Sequence, residues 1–228
     1  MPSEAFSISR ITDSTSHLFD PNIPLSEYVP IDLSVENTEL TTRLINTSNT
    51  LQNYINDYLK KNKASIAFGG YLEQRNIYTR SSHFRSSTLN DQRNIHLGID
   101  FWTNVGTKVL VPFDGRVHSF KNNSEFGDYG PTIILEHHID HFSFFTLYGH
   151  LSLDSIISLE QGKVLRVGEC VGKIGGPEVN GDYPPHLHFQ VILDMESYSG
   201  DYPGVSSKKN LDKFKLNCPD PNLLIKLY

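Results

Sequence analysis

Two short stretches hold the side chains best suited to chemistry. "HLGID", residues 96–100, places a histidine and an aspartate four apart with a glycine between them. "PPHLHFQ", residues 184–190, carries His186 and His188 separated by one residue. In a strand, side chains alternate between faces, so His186 and His188 point the same way and two imidazoles can converge on one point. His96 and Asp100 need more. Four residues of extended strand span about 13 Å, whereas ligand atoms must all lie within about 2.0–2.2 Å of a zinc ion. The chain must therefore bend between them, or the histidine must precede the strand and reach back, with Gly98 supplying backbone freedom.

Neither pair decides anything alone, because same-face histidines on a strand are commonly structural. Together, His96, Asp100 and His188 make a His₂-carboxylate set, a donor combination that suits a catalytic zinc with one position left for water. His186 would stand beside that ion without binding it. His150, in "LYGHL", follows a strand and a glycine and is placed for a cleft rim. A metal lowers the pKa of its bound water towards 7, and a nearby imidazole can take the proton or stabilise the oxyanion. The chemistry these residues could support is hydrolysis.

The elements that must position them are mostly strands. Residues 1 to about 35 are polar and punctuated by prolines, an extended arm laid over something else. Leu40, Leu44, Leu51, Ile55, Tyr58 and Leu59 recur at helical spacings and predict one long amphipathic helix, capped by Ser34 or Asn37 and ending near "KKNK". After Ala64, seven or eight β-branched and aromatic stretches are separated by Gly, Pro, Asn and Asp, which predicts a mainly β sheet, sandwich or barrel. Residues 1–64 are read as arm and helix, 65–193 as the β domain, and 194–228 as a tail packed on it.

Composition excludes several classes. The 228 residues carry a net charge of −6, so the basic face of a nucleic-acid binder is not expected. Two cysteines are too few for a disulfide scaffold; Cys170 and Cys218 are read as reduced, partly buried thiols. No stretch reaches the roughly 20 apolar residues of a membrane span, and the first residues lack the pattern of a secretory signal, so the expected location is the cytoplasm, or outside it by another route. "HHIDH", residues 137–141, is a hairpin turn that splits His137 and His138 to opposite faces. Tyr129, Tyr148 and Tyr183 are assigned to packing, and His17, His83 and His118 to surface or core. The hairpin "VLVPFDGRV" resembles biotinyl and lipoyl carriers, but Met1 and Met195 flank no lysine, which argues against a carrier.

"IHLGIDF", "GTKVLVPFDGRV", "YGPTIILEH", "TLYGHL", "GKVLRVGECVGKIG" and "PPHLHFQV" occur in the order of an M23 (lysostaphin- or LytM-like) zinc metallopeptidase domain, which residues 93–193 resemble. The resemblance implies a lysostaphin-like antiparallel β fold and one Zn²⁺ held by His96, Asp100 and His188, with His150 and His186 catalytic around the zinc-bound water. It implies amide hydrolysis, with a peptide or peptidoglycan fragment as substrate. The alternatives are a small cytosolic peptide or amide, or binding of zinc or peptide without cleavage. "VPIDLS", "LEQRNIY", "DYPGV" and "CPDPN" resemble a subgroup that lies between a phosphotransferase-like and a class III aminotransferase domain. "GGPEVNGDYPPHLHF" departs from the Ser/Thr- and Gly-rich lead into H-x-H of peptidoglycan hydrolases, which bears on substrate more than on chemistry.

Overall fold

The computed structural model describes residues 16–139 and 142–228. The first 15 residues of the predicted arm, and Asp140 and His141 of the hairpin, lie outside the described residues. The strands, in chain order, are β1 (Tyr28–Pro30), β2 (Ile66–Gly69), β3 (Arg93–His96), β4 (Ile99–Trp102), β5 (Lys108–Leu110) and β6 (Gly115–Asn123). They continue with β7 (Gly130–Ile139), β8 (Phe142–Gly149), β9 (Val164–Leu165), β10 (Cys170–Lys173), β11 (His186–Ile192) and β12 (Val205–Ser207). Among the described residues, eight form one sheet in the order β1-β2-β4-β11-β8-β7-β6-β9. Its pairings are antiparallel except β1 with β2. The protein is mainly β, as the turn spacing predicts.

Alternation gives the sheet two different faces. Ile99 and Phe101 of β4, Leu187, Phe189 and Val191 of β11, and Phe144 and Tyr148 of β8 point into one buried apolar cluster, which Leu18, Phe19, Leu224 and Ile225 complete from the two ends of the described chain. The residues between them, Asp100, His186, His188 and Gln190, face the other way and are buried too. Each fully buried Leu or Phe contributes about 1.5–3 kcal/mol, so the apolar face is the stable platform on which the polar one is carried.

The helical part departs from expectation. Over residues 42–62 there are two helices instead of one, α1 (Thr42–Ile45) and α2 (Ser48–Asn62). The break falls where Thr47 turns its hydroxyl to the backbone N–H of Thr50 and so caps α2, as Thr41 caps α1 with Leu44; Ser34 and Asn37 cap neither. A β-branched residue that can bond its own backbone favours such a cap over a helix interior. Leu51 and Ile55 of α2 pack with Trp102 on the sheet. Cys170 is exposed and only Cys218 is buried. No described helix is long and apolar enough to cross a membrane.

Candidate metal centre

His96 and Asp100 do not share a strand. The chain leaves β3, which pairs with β12, and enters β4, which pairs with β2 and β11. His96 thus precedes the strand that bears Asp100 and reaches back to it. The role expected of Gly98 is corrected by what surrounds it. Its φ is not positive; a Cβ there would instead lie 2.6 Å from the Phe189 carbonyl oxygen and 2.7 Å from the His188 ring. Gly98 provides space for the imidazole, not a turn.

On β11, His188 lies directly opposite Asp100 of β4, and His186 opposite Trp102. His96 Nε2 comes 2.8 Å from His188 Nδ1, and Asp100 Oδ1 lies 3.2 Å from the first and 3.1 Å from the second. The three residues form a group that could hold a metal ion.

Their outer partners decide the proton positions. His96 Nδ1–H donates to the carbonyl of Gly70 at 2.9 Å, which leaves a lone pair on Nε2. Gln190 donates its amide to Pro203 O and Cys218 Sγ, so its Oε1 faces His188 Nε2 at 2.9 Å and accepts from it. His188 therefore presents a lone pair on Nδ1. Asp100 Oδ2 is held by the Arg75 guanidinium at 2.5 Å, and Arg75 also pairs with Glu73. Three acceptors converge with no proton between them, 2.8–3.2 Å apart, near the roughly 3.3 Å separation of ligand atoms around a tetrahedral zinc. Like-for-like acceptors repel, and a divalent cation would make the arrangement favourable. The donor set fits zinc.

The charge states agree with this. Burial pushes the His96 imidazole down to about 4, with the Asp100 charge opposing. For Asp100, burial opposes ionisation and is outweighed by His96 and the permanently charged Arg75, which hold the carboxyl well below its usual range.

Two further histidines stand beside the trio. His150 occupies the left-handed region at φ 63, its N–H bonded to Tyr129 O, and its Nδ1–H donates to Asn180 O at 2.9 Å. His186 Nδ1–H donates to Pro184 O at 2.7 Å, its ring stacks on Trp102, and its Nε2 is 3.9 Å from Asp100 Oδ1. The two rings are 4.1 Å apart. Burial holds both below the ordinary histidine value, His150 the more strongly, with His186 and His188 adding to it. Both are neutral near pH 7, with Nδ1 committed to the backbone and Nε2 free to exchange a proton.

All five histidine and aspartate candidates are thus brought together. His137 is not near them: it is buried between Asp114 O and the Thr146 hydroxyl, while His138 is exposed on the opposite face. Tyr148 packs in the core, but Tyr129 and Tyr183 line the cavity above the site, as does His83. Sequence reasoning missed Arg75, Glu73, Gly70 and Gln190. Gln190 had a signal, since it is the next same-face residue after His188; Arg75 had none.

Residues 94–199 match the family model described as Peptidase family M23. Two curated relatives are each described as an uncharacterized metalloprotease. The one from Buchnera aphidicola is 27% identical over 123 residues, 54% of this chain and 30% of that protein. The one from Haemophilus influenzae is 29% identical over 115 residues, 49% of this chain and 22% of that protein. The chain thus spans under a third of the length of these relatives. Among solved structures, the catalytic domain of lysostaphin from Staphylococcus simulans is 24% identical, with TM-score 0.38, covering 54% of this chain and 80% of that one. A zinc-containing peptidase from Vibrio cholerae is 26% identical, also at 0.38, covering 53% and 35%.

Proposed function

We propose that this chain is a zinc-dependent peptidase, with His96 Nε2, Asp100 Oδ1 and His188 Nδ1 as ligands and His150 and His186 as catalytic bases and acids. The observation that carries the reading is the convergence of three lone pairs, each fixed by an outer partner, beside two neutral imidazoles. When bound, the ion supplies a Lewis acid that polarises an amide carbonyl and brings the pKa of a coordinated water towards 7. His150 and His186, held by Asn180 O and Pro184 O, present Nε2 to the reacting atoms. One takes a proton as water oxygen bonds to the carbonyl carbon; as the C–N bond breaks, that proton passes to the leaving amine. The products are a carboxylate and an amine.

Peptidoglycan-type peptides are the substrate class the family resemblance supports, and the cavity described below favours shorter ones. The test is mass spectrometry of digests of purified peptidoglycan and of synthetic peptides by the zinc-loaded protein, with His150→Ala alongside. New termini absent from the variant are expected; a protein that holds one zinc and cuts neither overturns the proposal.

A further inference from the structure

The five clustered side chains are deeply buried, from 1% exposed for His96 to 5% for His150 and His186. They open into a cavity of about 210 Å³, below the ~300–1,000 Å³ of sites for drug-sized ligands. Its roof is a strap, residues 76–85, which folds as two short 3₁₀ turns, Ile77–Arg80 and Ser82–Phe84. Tyr78 and Phe84 pack against each other beneath it with their rings tilted, alongside Val205. The strap is fastened on its far side. Arg80 pairs with Asp182, which also accepts from Ser48 of α2, and the Ser81 hydroxyl donates to Phe126 O at 2.8 Å. A polymer lying extended across the site would have to pass through these contacts. A chain end need not.

The strap end of the cavity is charged. Arg93 lines it, with Nε bonded to Val205 O at 3.0 Å and the guanidinium 5.2 Å from the centre of the Phe84 ring. No salt bridge or hydrogen bond among the described residues occupies its two terminal nitrogens. Asp128 and Asp201 line the same cavity and form no salt bridge among the described residues, although His83 and Lys121 act on the Asp128 carboxyl from a distance. Burial raises the Asp128 carboxyl, and the charge of Asp201 adds to the rise. Half-buried charges of both signs thus line one end of the cavity, where the charged ends of a ligand can supply charge-assisted hydrogen bonds. The strap with Tyr78, together with Arg93, Asp201 and Val205, frames this end, and all of these lie outside the segment that matches the M23 family, whereas Asp128 lies within it.

We infer that the site takes short zwitterionic peptides, with Arg93 receiving the free α-carboxylate and Asp128 and Asp201 the ammonium, so that the enzyme works on chain ends and not on the interior of a polymer. This rests on the peptidase reading and narrows its substrate. The reaction remains hydrolysis: one C–N bond is exchanged for one C–O bond, and water is the only co-reactant.

The test compares alanine di- and tripeptides with both ends free against the same peptides acetylated, amidated or blocked at both ends, and against longer end-blocked peptides, using the full zinc-loaded chain. Charge-assisted recognition predicts kcat/KM about 10- to 100-fold higher for free ends. In Arg93→Met the preference for a free carboxylate over the amide should collapse, carried mainly by KM, and Arg93→Lys should restore part of it; equal melting temperatures and zinc content exclude unfolding. Arg80→Ala, which unfastens the strap without touching the cavity wall, should raise turnover of the longer blocked peptides. Equal turnover of free and doubly blocked peptides by the unaltered protein overturns this inference while leaving the peptidase reading intact. Cleavage of none of them by a zinc-replete protein that also leaves peptidoglycan uncut removes both.

Discussion

Two buried histidine environments lie on the same sheet and differ in one respect. His137, on β7, is fully buried, and both of its ring nitrogens have neutral partners, Asp114 O at 2.9 Å and Thr146 Oγ1 at 2.7 Å. His188, on β11, is as deeply buried, but only its outer nitrogen is bonded to a neutral group; the inner one faces another lone pair and a carboxylate. Burial therefore does not distinguish a structural histidine from a candidate metal ligand. What distinguishes them is whether the hydrogen-bond ledger closes without an added cation.

The sharpest break of this comparison is to remove the inner nitrogen. His188→Ala should lose stoichiometric zinc, measured by metal analysis, and lose turnover by more than about a thousandfold, the scale of the Lewis-acid contribution. Retention of zinc would mean that the converging lone pairs are not the site. Next in size, His150→Ala should keep its zinc and lose turnover by about 10²–10⁴; full activity would dissolve the role given to its Nε2. Replacing the outer partner, Gln190→Leu, should weaken zinc about 10- to 100-fold in chelator competition, by freeing the His188 tautomer.

The smallest effect belongs to the satisfied histidine. His137→Phe should leave zinc content and turnover unchanged and alter only the pH dependence of stability. Burial puts the folded pKa of His137 at about 4, against about 6.5 in an unfolded chain. The unfolded state then binds the proton first, so stability is full above about pH 6.5 and falls as the pH drops towards 4, by on the order of 3 kcal/mol. Denaturant titrations should show the unaltered protein losing that much more than the variant over this window.

How much of this was legible follows from the same contrast. Strand alternation marked His186 and His188, and the 13 Å limit forced the bend between His96 and Asp100. Both arguments use only backbone periodicity. The split between α1 and α2 was not legible, because Leu44 and Leu51 keep the helical spacing across the cap at Thr47. Arg75 and the strap were also out of reach: their partners Asp100, Asp182 and Phe126 are brought near by tertiary packing, with no periodic signal. Gly98 was singled out for the wrong reason, since a close approach to an imidazole leaves the same trace in sequence as a turn.

The break between β3 and β4 has a mechanical consequence. His96 stands on a separate two-stranded sheet, whose partner strand β12 comes from beyond the M23-matched segment, while Asp100 and His188 stand on the main sheet. A zinc ion gripping all three would rivet one sheet to the other, closing a long loop and removing chain entropy from any state in which β12 detaches. Chelation should therefore first expose the connection around Pro203 and Gly204 to proteases, before the main sheet melts. The ion would be a fastener for the C-terminal region as well as a reagent.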